Sequence, residues 1–240
     1  MRVLVTPDYQ ALSQTAAELV LKAVRAKPGI KLGLPTGNTP LGMYAELVQR
    51  YRIEQLDFSQ IQTFNLDEYV GLTNDHPKSY HRYMRRHFFD HVNLLPANIH
   101  IPEGSPGVDL DAEAVRYENQ IRKAGGIDLL IVGVGANGHI AFNEPGSAFD
   151  SRTRAVDLAA ETIRNARQHF GNDPVPARAI TMGVATILEA GRILLLASGV
   201  SKADAVERAL HGPVSASVPA SALRLHPRVI VLLDESAARQ

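Results

Sequence analysis

"IDLLIVGVGANGHIAFNEPG", residues 127–146, holds an apolar run and a glycine loop, and how the two join decides the fold. Ile127-Asp128-Leu129-Leu130-Ile131-Val132 has the composition of a strand in a sheet covered on both faces. Gly133-Val134-Gly135-Ala136-Asn137-Gly138 then fits the GxGxxG pattern of a dinucleotide loop. In such a loop the third glycine opens a long helix whose N-terminus faces the pyrophosphate. Here Gly138 leads into "HIAFNEPG", where Pro145 and Gly146 interrupt any helix within about two turns. The acidic residue at a suitable distance, Asp157, follows no crossover helix. These glycines therefore shape a loop, and what the loop presents is Asn137, His139 and Glu144.

Outward from this strand the same alternation recurs. "VLVT" at 3–6 precedes "ALSQTAAELVLKAVRA" at 11–26, whose Leu12, Ala16, Leu19, Ala23 and Ala26 predict a helix with one buried face. "IKLGLP" at 30–35 precedes an expected helix opening at Thr39-Pro40, with Thr39 as N-cap and Pro40 at the first helical position. Strand-like runs follow at 61–66, 98–102, 177–182, 192–198 and 228–233, separated mostly by helical segments. The pattern predicts one α/β domain over residues 1–240, with a mainly parallel, Rossmann-like sheet and helices on both faces. "HFGNDPVPAR" at 169–178, with a Gly, two Pro and an Asn-Asp pair, reads as a loop within a candidate lid at about 157–183.

Composition narrows the function classes. Lys plus Arg equals Asp plus Glu at 25 each, so no overall field favours nucleic acid or an anionic membrane. The absence of cysteine excludes thiolate ligands, a thiol nucleophile and disulfides. "MRVLVTPDYQ" lacks the apolar core of a signal peptide, and no run reaches membrane-spanning length. The expectation is a cytoplasmic protein with neither a nucleic-acid nor a membrane partner.

In an open parallel sheet, ligands bind outside the carboxyl ends of the strands. Four polar clusters fall there: Thr36-Gly37-Asn38-Thr39, Asp67-Glu68-Tyr69, Asn137-Gly138-His139, and Ser198-Gly199 with Lys202. His139, near the carboxylate of Glu144, suits a proton shuttle. One of Asp67 and Glu68 should point into the crevice as a carboxylate base. "LPTGNTP" offers a glycine turn, hydroxyls and a helix N-terminus, an anion cradle that is not a P-loop. Lys202 falls in the first turn of an expected helix, where the macrodipole disfavours a cation and a bound anion would offset it. Arg164 and Arg167 are further candidates for the anion. His87 and His91 are spaced i, i+4, but Phe88 stands where a zinc-protease helix carries Glu, so no metal is expected. His81, Arg85 and Arg86 are expected on the wet face of a helix whose Tyr83, Phe88 and Phe89 pack inward.

"LGLPTGNTPLGMY", "FNLDEYVGL", "HPKSYHRYM", "GVGANGHIAFNEPGS", "SRTR" and "SGVSKADAV", in this order, resemble segments of glucosamine-6-phosphate deaminases. The resemblance implies conversion of D-glucosamine 6-phosphate and water to D-fructose 6-phosphate and ammonia, with no cofactor. It implies Asp67 as the base that takes the C2 proton and returns it to C1. His139 would open the pyranose ring, with Glu144 orienting it. Thr36, Gly37, Asn38, Thr39, Arg167 and Lys202 would hold the phosphate, with Arg167 on a mobile lid.

Asn137 stands where many members of that family carry Asp, so the surroundings of His139 have lost a negative charge. Its amide oxygen is expected to accept from the imidazole N–H. The chain also lacks the C-terminal extension of the larger allosteric members, although Arg154 matches one residue of their activator site; a monomer or small homo-oligomer is expected. Three alternatives remain at this stage: a 6-phosphogluconolactonase-like hydrolase of the same fold, a deaminase or isomerase of another amino-sugar phosphate, and a non-catalytic sugar-phosphate sensor.

Overall fold

The computed structural model describes residues 1–239. The chain runs β1 (Arg2–Thr6), α1 (Tyr9–Ala26), β2 (Lys31–Leu34), α2 (Leu41–Glu54), β3 (Gln62–Asn65), β4 (Asp67–Tyr69), α3 (Tyr80–His87), β5 (Ile99–His100) and α4 (Leu110–Lys123). It continues through β6 (Leu129–Gly133), β7 (Arg154–Asp157), α5 (Ala160–Phe170), β8 (Arg178–Thr181), α6 (Val184–Leu188), β9 (Ile193–Ala197), α7 (Ala203–Leu210) and β10 (Val229–Asp234).

A seven-stranded sheet has the order β1-β10-β9-β6-β2-β3-β5, every pair parallel. Side chains alternate across it, as the pleat requires. Leu129, Ile131, Leu194, Leu196 and Leu232 enter one core with α1, α2 and α3. Leu130, Val132, Leu195, Val231 and Leu233 enter the other with α4, α6 and α7. Burial on both faces is why these strands read as nearly continuous apolar runs.

The strand order reverses between β2 and β6: from β2 the sheet grows through β3 to β5, and from β6 through β9 to β10. The crevice at such a switch point is where α/β sheets bind ligands. The four polar clusters follow β2, β3, β6 and β9, which are the four central neighbours.

Two differences from the sequence reading concern the frame around this crevice. The 177–182 run does not join the main sheet; β8 pairs antiparallel with β4 and β7 in a separate three-stranded sheet. That small sheet carries Asp67 opposite Thr181. The second difference is at α2, where Thr39 is not the cap. Pro40 occupies that place, its carbonyl accepting from the Tyr44 N–H at 3.0 Å, so the helix begins at Leu41 with no side-chain cap bond. Thr39 is thereby left on the loop, facing the crevice. Residues 158–177 leave the frame as α5 and a loop, and Phe170 anchors α5 on Tyr69 and Phe142 in a third apolar cluster.

Candidate active site

A cavity of about 280 Å³ lies at the switch point. Thr36, Gly37, Asn38, Thr39, Asp67, His139 and Lys202 all line it, so loops distant in sequence meet there. From α5 come Thr162, Asn165, Ala166 and His169, and from α3 come Tyr80 and Tyr83. Asn137, Glu144 and Arg167 are not on its wall.

Asp67 opens β4 with 6% of its surface exposed. Burial, and then the neighbouring charge of Glu68, push its carboxyl up to about 8. Such a group is poised to exchange protons near neutral pH.

The glycine loop is built around His139. Gly135 donates its N–H to the His139 carbonyl at 2.9 Å, and Gly138 donates to the Gly135 carbonyl at 2.9 Å. A Cβ on Gly135 would stand 2.2 Å from His139 Cε1, so the imidazole lies directly on the glycine backbone. The GxGxxG match thus reflects the seat of a histidine. Further along, Ala141 is held at φ +50°, a left-handed conformation that costs a non-glycine residue about 1–2 kcal/mol. Buried Asn143 clamps this turn by donating to Ile140 O (3.0 Å) and Met182 O (2.8 Å).

Glu144 stands behind the imidazole, its Oε2 at 3.5 Å from His139 Nδ1, a buried ring nitrogen with no closer partner. That separation is too long for a strong hydrogen bond, and catalytic contacts of this kind tighten when substrate binds. Burial raises the Glu144 carboxyl, but the nearby His139 ring, Thr162 hydroxyl and Asn137 amide outweigh it and hold the group at about 2. Glu144 Oε1 also accepts from the N–H of Ala159, the N-cap of α5, at 3.2 Å. The carboxylate behind the imidazole is therefore tied to the helix that covers the cavity.

Asn137 acts differently from expectation. Its oxygen accepts the main-chain N–H of His139 (3.1 Å) and not the ring N–H, while its amide donates to Glu144 Oε2 (2.9 Å). It orients the carboxylate, and through it the ring. Asn137→Asp would remove that donor and set a like charge against Glu144, raising the Glu144 carboxyl. The added charge beside His139 should shift the pH profile of the rate more than it changes the maximal rate. A collapsed rate with an unmoved profile would contradict this, in measurements between pH 4 and 9.

Also on the cavity wall, Gly37 at φ +96° turns the loop so that the N–H groups of Gly37, Asn38 and Thr39 find no acceptor among the described residues. The Gly37 carbonyl is fixed by the Tyr83 hydroxyl at 2.6 Å. Consecutive free N–H groups ahead of a helix form an anion nest. Lys202, the N-cap of α7, also reaches this cavity and makes no ion pair within 4 Å among the described residues. Burial holds its ammonium below the usual lysine range, with the charge of Glu161 opposing. A cation desolvated without a partner is the kind of group that an anionic ligand would pair.

Arg167 and Arg164 sit on the exposed face of α5, away from the cavity wall. His81 corrects the wet-face reading, because its ring nitrogen Nδ1 meets buried Glu68 at 2.9 Å. Tyr83, Phe88 and Phe89 are buried as expected, although the helix ends at His87. The His87 ring packs against Tyr83 at 4.7 Å, tilted by 52°, and His91 Nε2 bonds Arg86 O. Sequence reasoning missed Tyr80, His169 and Gly135. The four-residue spacing from Gly135 to His139, inside a loop with no helix to open, was the available signal for the last.

A buried carboxylate, a carboxylate-backed imidazole, free main-chain N–H groups and an unpaired lysine on one cavity wall suit an enzyme that acts on phosphorylated sugars. The family model described as "Glucosamine-6-phosphate isomerases/6-phosphogluconolactonase" matches residues 7–231, and the chain belongs to that family. It is 51% identical over 239 residues to a glucosamine-6-phosphate deaminase of Halothermothrix orenii, covering 99% of each chain. A solved structure of a monomeric glucosamine-6-phosphate deaminase superimposes with a TM-score of 0.97 at 47% identity, covering 99% of each chain. A 6-phosphogluconolactonase from Leishmania guyanensis shares the fold with a TM-score of 0.80 at 21% identity, covering 99% of this chain and 97% of that one. No helix among the described residues is long and apolar enough to cross a membrane.

Proposed function

We propose that this chain converts D-glucosamine 6-phosphate and water to D-fructose 6-phosphate and ammonia, with Asp67 as the carbon base. The observation that carries this reading is one cavity holding a buried carboxylate, a carboxylate-backed imidazole and an unpartnered lysine beside free amide N–H groups.

The phosphate lies on the N–H groups of Gly37, Asn38 and Thr39 with the hydroxyls of Thr36 and Thr39 and the Lys202 ammonium. Its binding energy is remote from the reacting carbons and holds them in place. His139 moves a proton between the ring oxygen and O1 to open the pyranose, with Glu144 stabilising the imidazolium and Asn137 holding Glu144. Asp67 then takes the proton from C2, giving a cis-enolamine, and returns it to C1. The substrate's own ammonium, entering beside Asp67, favours the ionised carboxylate that this step needs. The product of the shift is an imine at C2; water adds to that carbon and the C–N bond breaks, releasing ammonia. The oxidation of C2 and the reduction of C1 balance within one molecule. Arg167 joins the phosphate when α5, in the segment 158–177, closes over the cavity, while β8 keeps the end of the expected 157–183 lid in the small sheet with β4. The protein acts as a monomer or small homo-oligomer in the cytoplasm.

A lactonase has no use for a base at C2, so ammonia release from glucosamine 6-phosphate by the purified protein is the primary test. In deuterium oxide, solvent deuterium should appear at C1 of the product. Hydrolysis of a 6-phosphogluconolactone with no ammonia from the amino sugar would replace this reading with the lactonase.

Lys202→Ala should raise KM by about 10–100-fold, the loss of one charge-assisted contact of about 1.5–3 kcal/mol. Inhibition by inorganic phosphate should weaken in parallel. An unchanged KM and unchanged phosphate inhibition would remove Lys202 from the anion site.

A further inference from the structure

Glu68 follows Asp67 on β4, so the two side chains project to opposite faces of the strand. Asp67 lines the sugar cavity, whereas Glu68 is 1% exposed and turned toward α3. Glu68 Oε1 accepts from the N–H of Tyr69 (2.7 Å) and of Tyr80 (3.0 Å). Its Oε2 accepts from the N–H of His81 (3.0 Å), and His81 Nδ1 lies 2.9 Å from the same oxygen. Glu68 thereby takes the first two N–H groups of α3, which Ser79 leaves free because its hydroxyl accepts only from Arg82, and it places a fixed anion between the helix N-terminus and Asp67. Two adjacent buried carboxylates repel one another, yet both Glu68 oxygens accept here, which an amide with one oxygen could not reproduce.

We propose that Glu68 is a positioning residue that strengthens Asp67 as a base through its fixed negative charge, with His81 setting how much of that charge Asp67 feels. This rests on the reading of Asp67 as the carbon base. A proton bound to carbon is abstracted faster by a stronger base, up to the point where that base stays protonated at working pH. Three main-chain N–H groups, with the His81 ring beside them, are gathered on the two Glu68 oxygens.

The groups facing this pair are few. Around Glu68 stand Asp67 and Tyr69 on its own strand, Tyr80 and His81 on α3, and Glu103 and Gly104 on the loop before α4; Ile180, opposite on β8, is uncharged. Asp67 shares its cavity with Tyr80, His139 and Lys202, while the buried hydroxyls of Tyr44 and Tyr117, near enough to feel its charge, donate to Pro35 O and Asn65 O. Burial of Asp67 comes first, and Glu68 is the charge that adds to it. His81 opens on its far side into a second cavity shared with Arg85, His100 and Arg116, so it links Glu68 to solvent.

The pH dependence of kcat/KM tests this, since wild type and variants share the ionisations of the substrate. Glu68→Gln should move the acid limb down by about one pH unit, the effect of removing one near charge. His81→Phe removes a donor from Glu68 but leaves the three main-chain donors, and should move the same limb up. Opposite shifts from two residues in contact are not produced by a loss of packing. An unmoved limb in Glu68→Gln, or limbs moved in the same direction, would overturn the proposal. If Glu68→Gln does not fold, His81→Phe decides: an upward shift supports the role and no shift removes it. Asp67→Asn separates the two readings. Retained turnover there rejects Asp67 as the base, whereas an inactive Asp67→Asn beside an unmoved Glu68→Gln limb rejects only the role of Glu68.

Discussion

Asp67→Asn should lower kcat by about 10²- to 10⁴-fold, the range expected for loss of a positioned general base, and should abolish deuterium incorporation at C1. The same substitution should stabilise the protein. A carboxyl pushed up to about 8 in the folded state binds a proton that the unfolded chain, with an ordinary carboxylate, releases near pH 4. Between those values the folded state holds more protons, so stability falls as pH rises through the window. Asparagine keeps the shape and removes the titration. The melting temperature of Asp67→Asn should therefore exceed that of wild type at pH 8, by an amount worth on the order of a few kcal/mol at most, and converge with it toward pH 4. Melting curves at the two pH values check this together with the ammonia assay. A variant that loses activity and is also destabilised at pH 8 would mean that Asp67 is a structural residue whose loss damages the cavity.

The parts of the fold that were legible in sequence are those whose burial forces a pattern. β6, β9 and β10 lie between two helical layers, so nearly every position must be apolar and the strand is visible without its neighbours. β4 and β7 were not visible. "DEY" and "RAVD" have neither length nor alternation, and they exist because β8 supplies partners more than twenty residues away. The site followed the same division. Thr36, Asp67, His139 and Lys202 could be placed because each follows a legible strand, and the carboxyl ends of neighbouring parallel strands share one rim. The partners of those residues could not be read. Glu68 and His81 meet across thirteen positions of irregular chain, and Asn137 turns its amide to Glu144 because the His139 main-chain N–H takes its oxygen.

Gly135→Ala should cost about 10²-fold in kcat while leaving the melting temperature nearly unchanged, because the conflict it creates is confined to one side chain. The new Cβ would lie 2.2 Å from Cε1, 2.4 Å from Nδ1 and 2.5 Å from Nε2 of His139. The backbone cannot retreat, since hydrogen bonds between Gly135 and His139 and between Gly138 and Gly135 close the turn on both sides. The imidazole must swing off its seat, and with it goes the 3.5 Å approach of Nδ1 to Glu144. Glu144 cannot follow, being held by Asn137 and by the start of α5. If displacement of the ring is the whole effect, Gly135→Ala combined with His139→Gln should be no slower than His139→Gln alone, because residues that act as a unit are not additive. Full additivity would place the damage elsewhere in the loop. A fully active Gly135→Ala would show that the glycine serves some purpose other than seating the histidine, and the departure of this loop from the dinucleotide pattern would again lack a physical cause.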